Sequence, residues 1–171
     1  VLSRNSQYYS PPLQVPLFAK RELQGKVSDL PGIRLKLARH NPEEKLWNYL
    51  VYHYHYQSYR IIVGAHIKVM AYAGEIPVAC LAWSSSVFRI QCRDELIGWN
   101  HEQRNANIRH VANNARFLIL PWIQVRNSAS HILGLSVKHV SSHWESVHRY
   151  PLYLLETFVE QDRFKGTCYK A

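Results

Sequence analysis

The stretch ARFLILPWIQVRNSASHILGLSVKHVSSHWESVHRYPLYLLETFV, residues 115–159, decides the fold of this chain. Its two ends, Ala115–Trp122 and Tyr150–Val159, are apolar runs that are typical of buried strands. Between them, apolar residues recur with the 3.6-residue period of a helix, and Ser128 is placed to cap its first turn. The order strand, helix, strand predicts two parallel strands joined by a helical crossover.

The residues before this unit predict further strands and a helix. Alternating apolar residues at 33–37 are typical of a half-buried strand. Asn41 is a favourable N-cap residue and Pro42 suits the first helical position, so a helix is expected to begin there. Its apolar stripe at helical spacing consists of Leu46, Trp47, Leu50 and Val51.

A β-hairpin and a second capped helix complete the pattern. Residues 67–71 and 76–82 alternate on either side of a turn at Gly74. Asn100 and Gln103 have the spacing of a capping box. The sequence therefore predicts an α/β fold with a mixed central sheet and helices on both faces. This order of elements resembles the acetyltransferase fold of the GNAT superfamily, a likeness of topology rather than of chemistry.

Two regions are expected along the chain. Residues 1–30 contain three prolines in QYYSPPLQVP and no amphipathic period, so they predict an extended N-terminal arm. Residues 31–171 have the size of a single domain. Since the chain opens on Val1 instead of methionine, its true N-terminus is expected to be missing.

Composition favours a cytoplasmic protein with a polyanionic partner. Lysine and arginine outnumber the acids by 21 to 12, which gives a net charge of +9. Nucleic acid, DNA above all, is the first partner to expect, although solubility alone also explains such a charge. No apolar run approaches the roughly 20 residues of a membrane span. Cys80, Cys92 and Cys168 are widely spaced, so a disulfide framework is not expected. The oligomeric state is left open.

The second half of the chain resembles the DruA family, a bacterial family formerly of unknown function. The segments that carry the resemblance are IGW (Ile97–Trp99), NNARFLILPW (Asn113–Trp122), SASHILG (Ser128–Gly134) and ETFVEQDRFKGTCYKA (Glu156–Ala171). The resemblance implies a component of Druantia-type anti-phage defence, or a protein fused to or encoded beside a transposase. Family members continue beyond the point that matches Ala171, so a domain truncated at its C-terminus is one expectation.

The loop before the long helix is a candidate phosphate site. Arg126, Asn127 and Ser128 lie where a strand passes into a helix, and free N–H groups at such a place bind anions. The loop QVRNSASH contains no glycine, which disfavours close approach of a coenzyme A pyrophosphate. We therefore expect no cofactor, with coenzyme A as the less favoured alternative. The alternative to phosphate binding is that Ser128 is an ordinary helix cap.

A second group of candidate nucleic-acid or phosphate ligands lies near the central strand and in the C-terminal segment. Asn113, Asn114 and Arg116 combine two amides and a guanidinium at the entrance of that strand, and Arg163 adds another guanidinium. Such groups bind phosphates or base edges. An amide-rich turn that satisfies loop backbone explains the asparagines equally well.

Four residues are candidates for catalysis: Glu156, Tyr169, Cys168 and His131. Glu156 lies inside an apolar run, where a carboxylate requires a partner, and Arg116 and His131 are the expected partners. Glu156 is therefore expected to form a structural ion pair or, alternatively, to act as a general base. Cys168 and Tyr169 follow Gly166 at a predicted helix start. Such a position lowers the pKa of a thiol, which makes Cys168 a candidate. The GNAT-like fold often has a tyrosine near this helix that acts as a general acid, which makes Tyr169 a candidate by analogy.

The histidines give weaker signals. His139 and His143 have a chelating spacing, but no third ligand accompanies them, so no metal site is predicted. The tract YHYHYQSY at residues 52–59 includes His53 and His55 among aromatic residues. Its rings suit stacking on single-stranded bases, and core packing is the alternative that the pattern favours.

These observations leave two main hypotheses and leave open whether the protein is an enzyme. The first is a DNA-linked accessory or nucleic-acid-binding component of a defence or transposition system. The alternative is an acyl- or aminoacyl-transferase-like enzyme with a degenerate cofactor loop. The alternative predicts a cleft beside the central strand, lined by Glu156, Tyr169 and Arg126. A protein-interaction subunit without a working site is a third possibility.

Overall fold

A five-stranded mixed sheet forms the centre of the structure, a computed structural model that describes residues 16–58 and 60–171. In chain order, the strands and α-helices of the structure are β1 (Leu23–Lys26), β2 (Ile33–Leu37), α1 (Pro42–Tyr54), β3 (His66–Ala73), β4 (Ile76–Ser85), α2 (Gln91–Ile97), α3 (His101–Asn107), β5 (Val111–Ile119), β6 (Ile123–Arg126), α4 (Ser128–His148), β7 (Leu154–Glu156) and α5 (Thr167–Lys170).

The strand order of the sheet is β2-β3-β4-β5-β7. Neighbouring strands are antiparallel except β5 and β7, which are parallel and are connected through α4. The predicted mixed sheet with a helical crossover is therefore confirmed. β1 and β6 form a separate parallel pair.

The hairpin of β3 and β4 is buried on both faces. Every residue from Pro77 to Ser84 is buried, although the alternating sequence predicted one exposed face. The reason is that α1 and α4 both pack on the hairpin. Trp47 of α1 donates its indole N–H to the Leu81 carbonyl at 2.9 Å, and Trp83 of β4 donates to Ser136 Oγ of α4 at 2.9 Å.

The predicted helix starts differ in outcome. Asn41 caps α1 by accepting a hydrogen bond from the Glu44 N–H, and Asn100 and Gln103 form the expected capping box. The prediction that Ser128 caps α4 is wrong. Asn127 occupies the cap position in the left-handed region, at φ 62°, and Ser128 is the buried first helical residue. Asparagine tolerates this conformation better than most residues, which explains the shift.

The two buried strands of the crossover unit also need correction. β5 begins at Val111, earlier than predicted, and its residues 115–119 are only half-buried. The predicted strand Tyr150–Val159 shortens to β7, of three residues, and Tyr153 is exposed. The chain leaves the sheet directly after Glu156, which ends β7 and leaves residues 115–119 of β5 without a strand of the described residues on that side.

α2 was not predicted, because its buried residues are charged. Arg93 and Asp94 are buried, so the helix has no apolar stripe to indicate it. Arg93 and Arg104 of α3 both bind the Asp94 carboxylate, at 2.9 and 3.0 Å. Burial alone raises the pKa of Asp94, but hydrogen bonds from the two guanidinium groups outweigh it and hold this pKa below its usual range.

Part of the expected N-terminal arm lies outside the described residues, namely residues 1–15. Within the rest, β1 pairs with β6, and Phe18 stacks on Trp122 with ring centroids 5.7 Å apart. The division between an arm and a domain at residue 30 stays a prediction. Among the described helices, none combines the length and apolar character that crossing a bilayer requires.

The hydrogen bond from Trp83 to Ser136 is expected to hold α4 on the sheet. Ser136→Ala leaves a buried indole N–H without an acceptor, which costs about 1–3 kcal/mol. Urea unfolding should show this loss of unfolding free energy. Ser142→Ala, on the exposed side of the same helix, is the matched control and should change stability by less than about 0.5 kcal/mol. Equal effects of the two substitutions would contradict the assignment.

Candidate functional site

The candidate site is a cleft that opens where β5 and β7 separate. β5 pairs with β4 as far as Ile119, but with β7 only from Val111 to Asn113. Beyond Asn113, no strand of the described residues pairs with this side of β5. The cavity has a volume of about 420 Å³. The enzyme hypothesis predicted a cleft beside the central strand that is lined by Glu156, Tyr169 and Arg126, and of these three residues only Tyr169 lines this cleft.

The lining combines aromatic, amide and cationic side chains. It comes from residues 55–57 directly after α1, from β5, from residues 158–166 and from α5. The aromatic residues are Tyr56, Phe117, Phe158, Phe164 and Tyr169; the amides are Gln57, Asn113 and Asn114; the cations are Arg116 and Lys165, with Glu160 as the carboxylate. Three predicted ligands, Asn113, Asn114 and Arg116, are therefore brought together with Tyr169.

Tyr169 and Asn114 form the polar floor of the cleft. Tyr169 Oη donates to Asn114 Oδ1 at 2.7 Å, and Asn114 Nδ2 donates to the Ala82 carbonyl at 3.2 Å. Ala115 is an extra residue in the pairing of β5 with β4, because Ala82 pairs with Arg116 and Trp83 with Asn114. Such an extra residue is a β-bulge, and β-bulges change the direction of the neighbouring side chains. Burial raises the pKa of Tyr169, so its hydroxyl stays protonated at neutral pH.

Tyr56 forms part of the rim of the cleft, and an arginine guanidinium packs on its ring. The His55 ring stacks on it with centroids 4.7 Å apart, and the Arg163 guanidinium lies 4.8 Å from the Tyr56 ring centroid. Phe164 contacts the same ring in a T-shaped arrangement at 5.1 Å. Burial and the nearby Glu160 carboxylate raise the pKa of Tyr56. Arg163, a predicted phosphate ligand, therefore lies at the edge of the cleft.

His55 is a neutral group in the wall of the cleft. Its side chain is buried, and burial together with the charge of Arg116 lowers its pKa to about 4. Its Nδ1 accepts a hydrogen bond from the Gln57 N–H at 3.2 Å, which requires an unprotonated Nδ1. Near neutral pH this histidine therefore adds no charge to the site.

A second cavity meets the cleft at α5. Its volume is about 390 Å³, and it shares Cys168 and Tyr169 with the cleft. The rest of its lining includes Trp83, Glu156 and residues from the first turns of α4. Two of the predicted catalytic residues thus lie between two cavities, and a third, Glu156, lies in the second.

The predicted partners of Glu156 are wrong. Its carboxylate accepts a hydrogen bond from the Ser86 hydroxyl and lies 3.5 Å from Arg93 Nη1. Arg116 lies farther along β5, in the wall of the cleft, and His131 is exposed on α4. A structural ion pair was one of the two expected roles of Glu156, but its cation comes from the unpredicted helix α2.

The expected low thiol pKa of Cys168 is also wrong. Burial raises the pKa of this thiol, and hydrogen bonds from the backbone only partly oppose the rise. α5 has four residues, so its aligned peptide dipoles are few. Near neutral pH, Cys168 is therefore a half-buried thiol rather than a reactive thiolate.

The remaining candidates lie away from the cleft. Arg126 is an exposed residue of β6 whose register partner is Lys26 of β1, and it lines neither cavity. Asn127 and Ser128 form the start of α4, also outside both linings. Phosphate binding by these three residues and catalysis by His131 stay predictions.

No metal site is visible in the described part of the chain. His139 and His143 stack on one face of α4 with ring centroids 6.1 Å apart. No cluster of three or more histidine, cysteine or acidic side chains suited to a metal ion occurs among residues 16–58 and 60–171.

Sequence reasoning missed the aromatic residues of the mouth. Phe158 and Phe164 are exposed, in the segment FVEQDRFKG that follows β7. The apolar run Tyr150–Val159 predicts a buried strand that includes Phe158, so this pattern does not indicate an exposed ring. Aromatic residues interleaved with charges in an irregular segment are a signal for stacking on nucleic-acid bases, and this signal was available.

Comparison with known proteins identifies a family. The family model described as Druantia protein DruA matches residues 16–171. The chain matches no curated protein and no solved structure. The likeness of its topology to GNAT acetyltransferases therefore stays a prediction.

The buried neutral His55 predicts a loss of stability in acid. Below pH 6.5 an unfolded chain protonates this histidine, whereas the folded chain resists protonation down to about pH 4. The free energy of unfolding should therefore fall through this window, by up to about 3 kcal/mol from this group. Urea unfolding at about pH 7 and about pH 4.5 measures the difference.

His55→Phe should remove this part of the pH dependence. His53→Phe, at an exposed histidine in the last turn of α1, two residues before His55, should retain it. A pH dependence that is the same in the wild-type protein and in His55→Phe would show that folding does not lower the pKa of His55.

Proposed function

The chain belongs to the DruA family, and from this membership we propose that it is a nucleic-acid-binding component of a Druantia anti-phage system. The proposed partner is DNA, or proteins assembled on DNA. A transposition system would use the same DNA contact.

The observation that carries the proposal is the combination of cations and exposed aromatic rings around the cleft. Arg116 and Lys165 line it, and Arg163 lies on the ring of Tyr56 at its rim. Phe158 and Phe164 are exposed beside them. Guanidinium and ammonium groups bind phosphates, while rings stack on bases, and proteins that bind single strands combine the two.

The charge of the whole chain supports the same partner. Its net charge of +9 attracts a polyanion at long range. The segment beside the cleft also contains Glu160 and Asp162. Those two carboxylates oppose Arg163 and Lys165 locally, so the attraction depends on the chain as a whole as well as on the cleft.

The second candidate function is transfer of an acyl or aminoacyl group. The observation that favours it is the meeting of two cavities at Tyr169, because two reactants need adjoining sites. An amine nitrogen would bond to the acyl carbonyl carbon while the bond from that carbon to sulfur or oxygen breaks. Tyr169 would donate its proton to the leaving atom, and the proton lost by the amine would replace it.

Binding of DNA should depend steeply on salt and on Arg163. Fluorescence anisotropy with a labelled oligonucleotide should show binding near 50 mM salt and a large loss of affinity near 200 mM. Arg163→Ala should weaken binding and lower the slope of log K against log salt by about 1.

Arg89→Ala is the matched control, because Arg89 is exposed but lies outside the cleft. It should leave the salt slope nearly unchanged. Absence of binding at low salt, or equal effects of the two substitutions, would reject the proposed DNA contact at the cleft.

The transferase candidate predicts an effect of Tyr169→Phe. Loss of a general acid lowers a rate by about 10²-fold or more. Release of free thiol from acetyl-coenzyme A with a panel of primary amines measures it. Tyr153→Phe, at a tyrosine that is 73% exposed, should keep the wild-type rate. No release by the wild-type protein, or an unchanged rate in Tyr169→Phe, would count against this candidate.

A further inference from the structure

The size and position of the cleft restrict what part of a nucleic acid can enter it. A volume of about 420 Å³ is that of a site for one small ligand. In a duplex, each base is covered on both faces by its neighbours, so its ring cannot reach the wall of a cavity without leaving the stack. We infer that the cleft receives a single unpaired base of a DNA strand, and this inference rests on the proposed function.

Phe158 supplies the stacking surface. Its side chain is 56% exposed, and no other aromatic ring of the described residues packs against it. Phe164 lies in the same lining and contacts only Tyr56 among the described rings, in a T-shaped arrangement. An exposed apolar ring is a surface that a base face can cover, and such stacking tolerates any base.

The floor of the cleft suits the neutral edge of a base. Tyr169 and Asn114 are hydrogen-bonded to each other at 2.7 Å, and Asn113 Oδ1 is buried without a hydrogen-bond partner among the described residues. Base edges carry neutral donors and acceptors of the same kind as these amides and this hydroxyl. Arg116 is the cation that lies in the cleft wall beside them.

The charged groups of the mouth suit the backbone that remains outside. Arg163 lies on Tyr56 at the rim, and Lys165 belongs to the segment that closes the cleft. Glu160 in the same segment disfavours a phosphate directly next to it. A DNA strand that inserts one base and keeps its phosphates near Arg163 and Lys165, away from Glu160, suits both the cations and the carboxylate of the mouth.

The test uses the whole chain and one oligonucleotide sequence in two forms, single-stranded and duplex. Each carries 2-aminopurine, whose emission changes when its stacking changes. The single strand is expected to bind at least about tenfold more tightly than the duplex, with a change in emission on binding. Phe158→Ala should weaken single-strand binding by about tenfold and leave duplex binding unchanged.

Phe88→Ala is the matched control, because Phe88 is 50% exposed and lies outside the cleft. It should keep wild-type binding, and Phe158→Trp should restore what Phe158→Ala loses. Thermal unfolding checks that each variant is folded.

Three outcomes overturn the inference. Equal affinity for both forms, with no effect of Phe158→Ala, rejects the inserted base but leaves the proposed DNA binding intact. Failure of both forms to bind rejects the proposed function as well. Binding of deoxyadenosine monophosphate as tightly as the single strand identifies a free nucleotide as the ligand and rejects the strand.

Discussion

The separation of β7 from β5 after Glu156 is the constraint on which the rest of the structure depends. A strand inside a sheet normally has partners for its backbone on both sides. β5 has one on the β4 side along most of its length, but β7 accompanies it only to Asn113. The side chains of residues 115–119 become half-buried as a result, and residues 158–166 and α5 form the far wall. The cleft is thus bounded by the uncovered side of β5 and by the irregular segment that follows β7.

A buried ionic network fixes the point of separation. Glu156, the last residue of β7, is held by Ser86 after β4 and by Arg93 of α2. Arg93 in turn binds Asp94, which also binds Arg104 of α3. Because a buried charge without a partner is costly, these contacts keep the end of β7 close to the end of β4. The chain turns away from β5 directly after the residue that this network holds.

Sequence patterns predicted those elements of the fold that depend on a single local rule. The cap at Asn41, the hairpin around Gly74 and the crossover helix follow from local rules of capping, alternation and helical period. α2 was missed because its inward face is ionic, and β7 was predicted too long because hydrophobicity alone cannot show where pairing stops. In the site, Asn113, Asn114, Arg116 and Tyr169 were selected by residue type and do meet. The partners of Glu156 depend on contacts between distant segments, which one sequence does not display.

The hydrogen bond between Tyr169 and Asn114 separates the two candidate functions in physical terms. Both cavities border Tyr169, and its hydroxyl is engaged by Asn114 within the layer of the sheet. A base that stacks at the mouth of the cleft can leave this bond intact, since Phe158 and Arg163 lie at the outer side. Transfer of a group between the cavities requires the Tyr169 hydroxyl to exchange Asn114 for a reacting atom. A protonated phenol with a raised pKa is a weak acid, and it makes that exchange only when the new acceptor develops more charge than an amide oxygen. The proposed nucleic-acid binding would therefore use the cleft in the form that the structure shows, whereas the proposed group transfer would require it to rearrange.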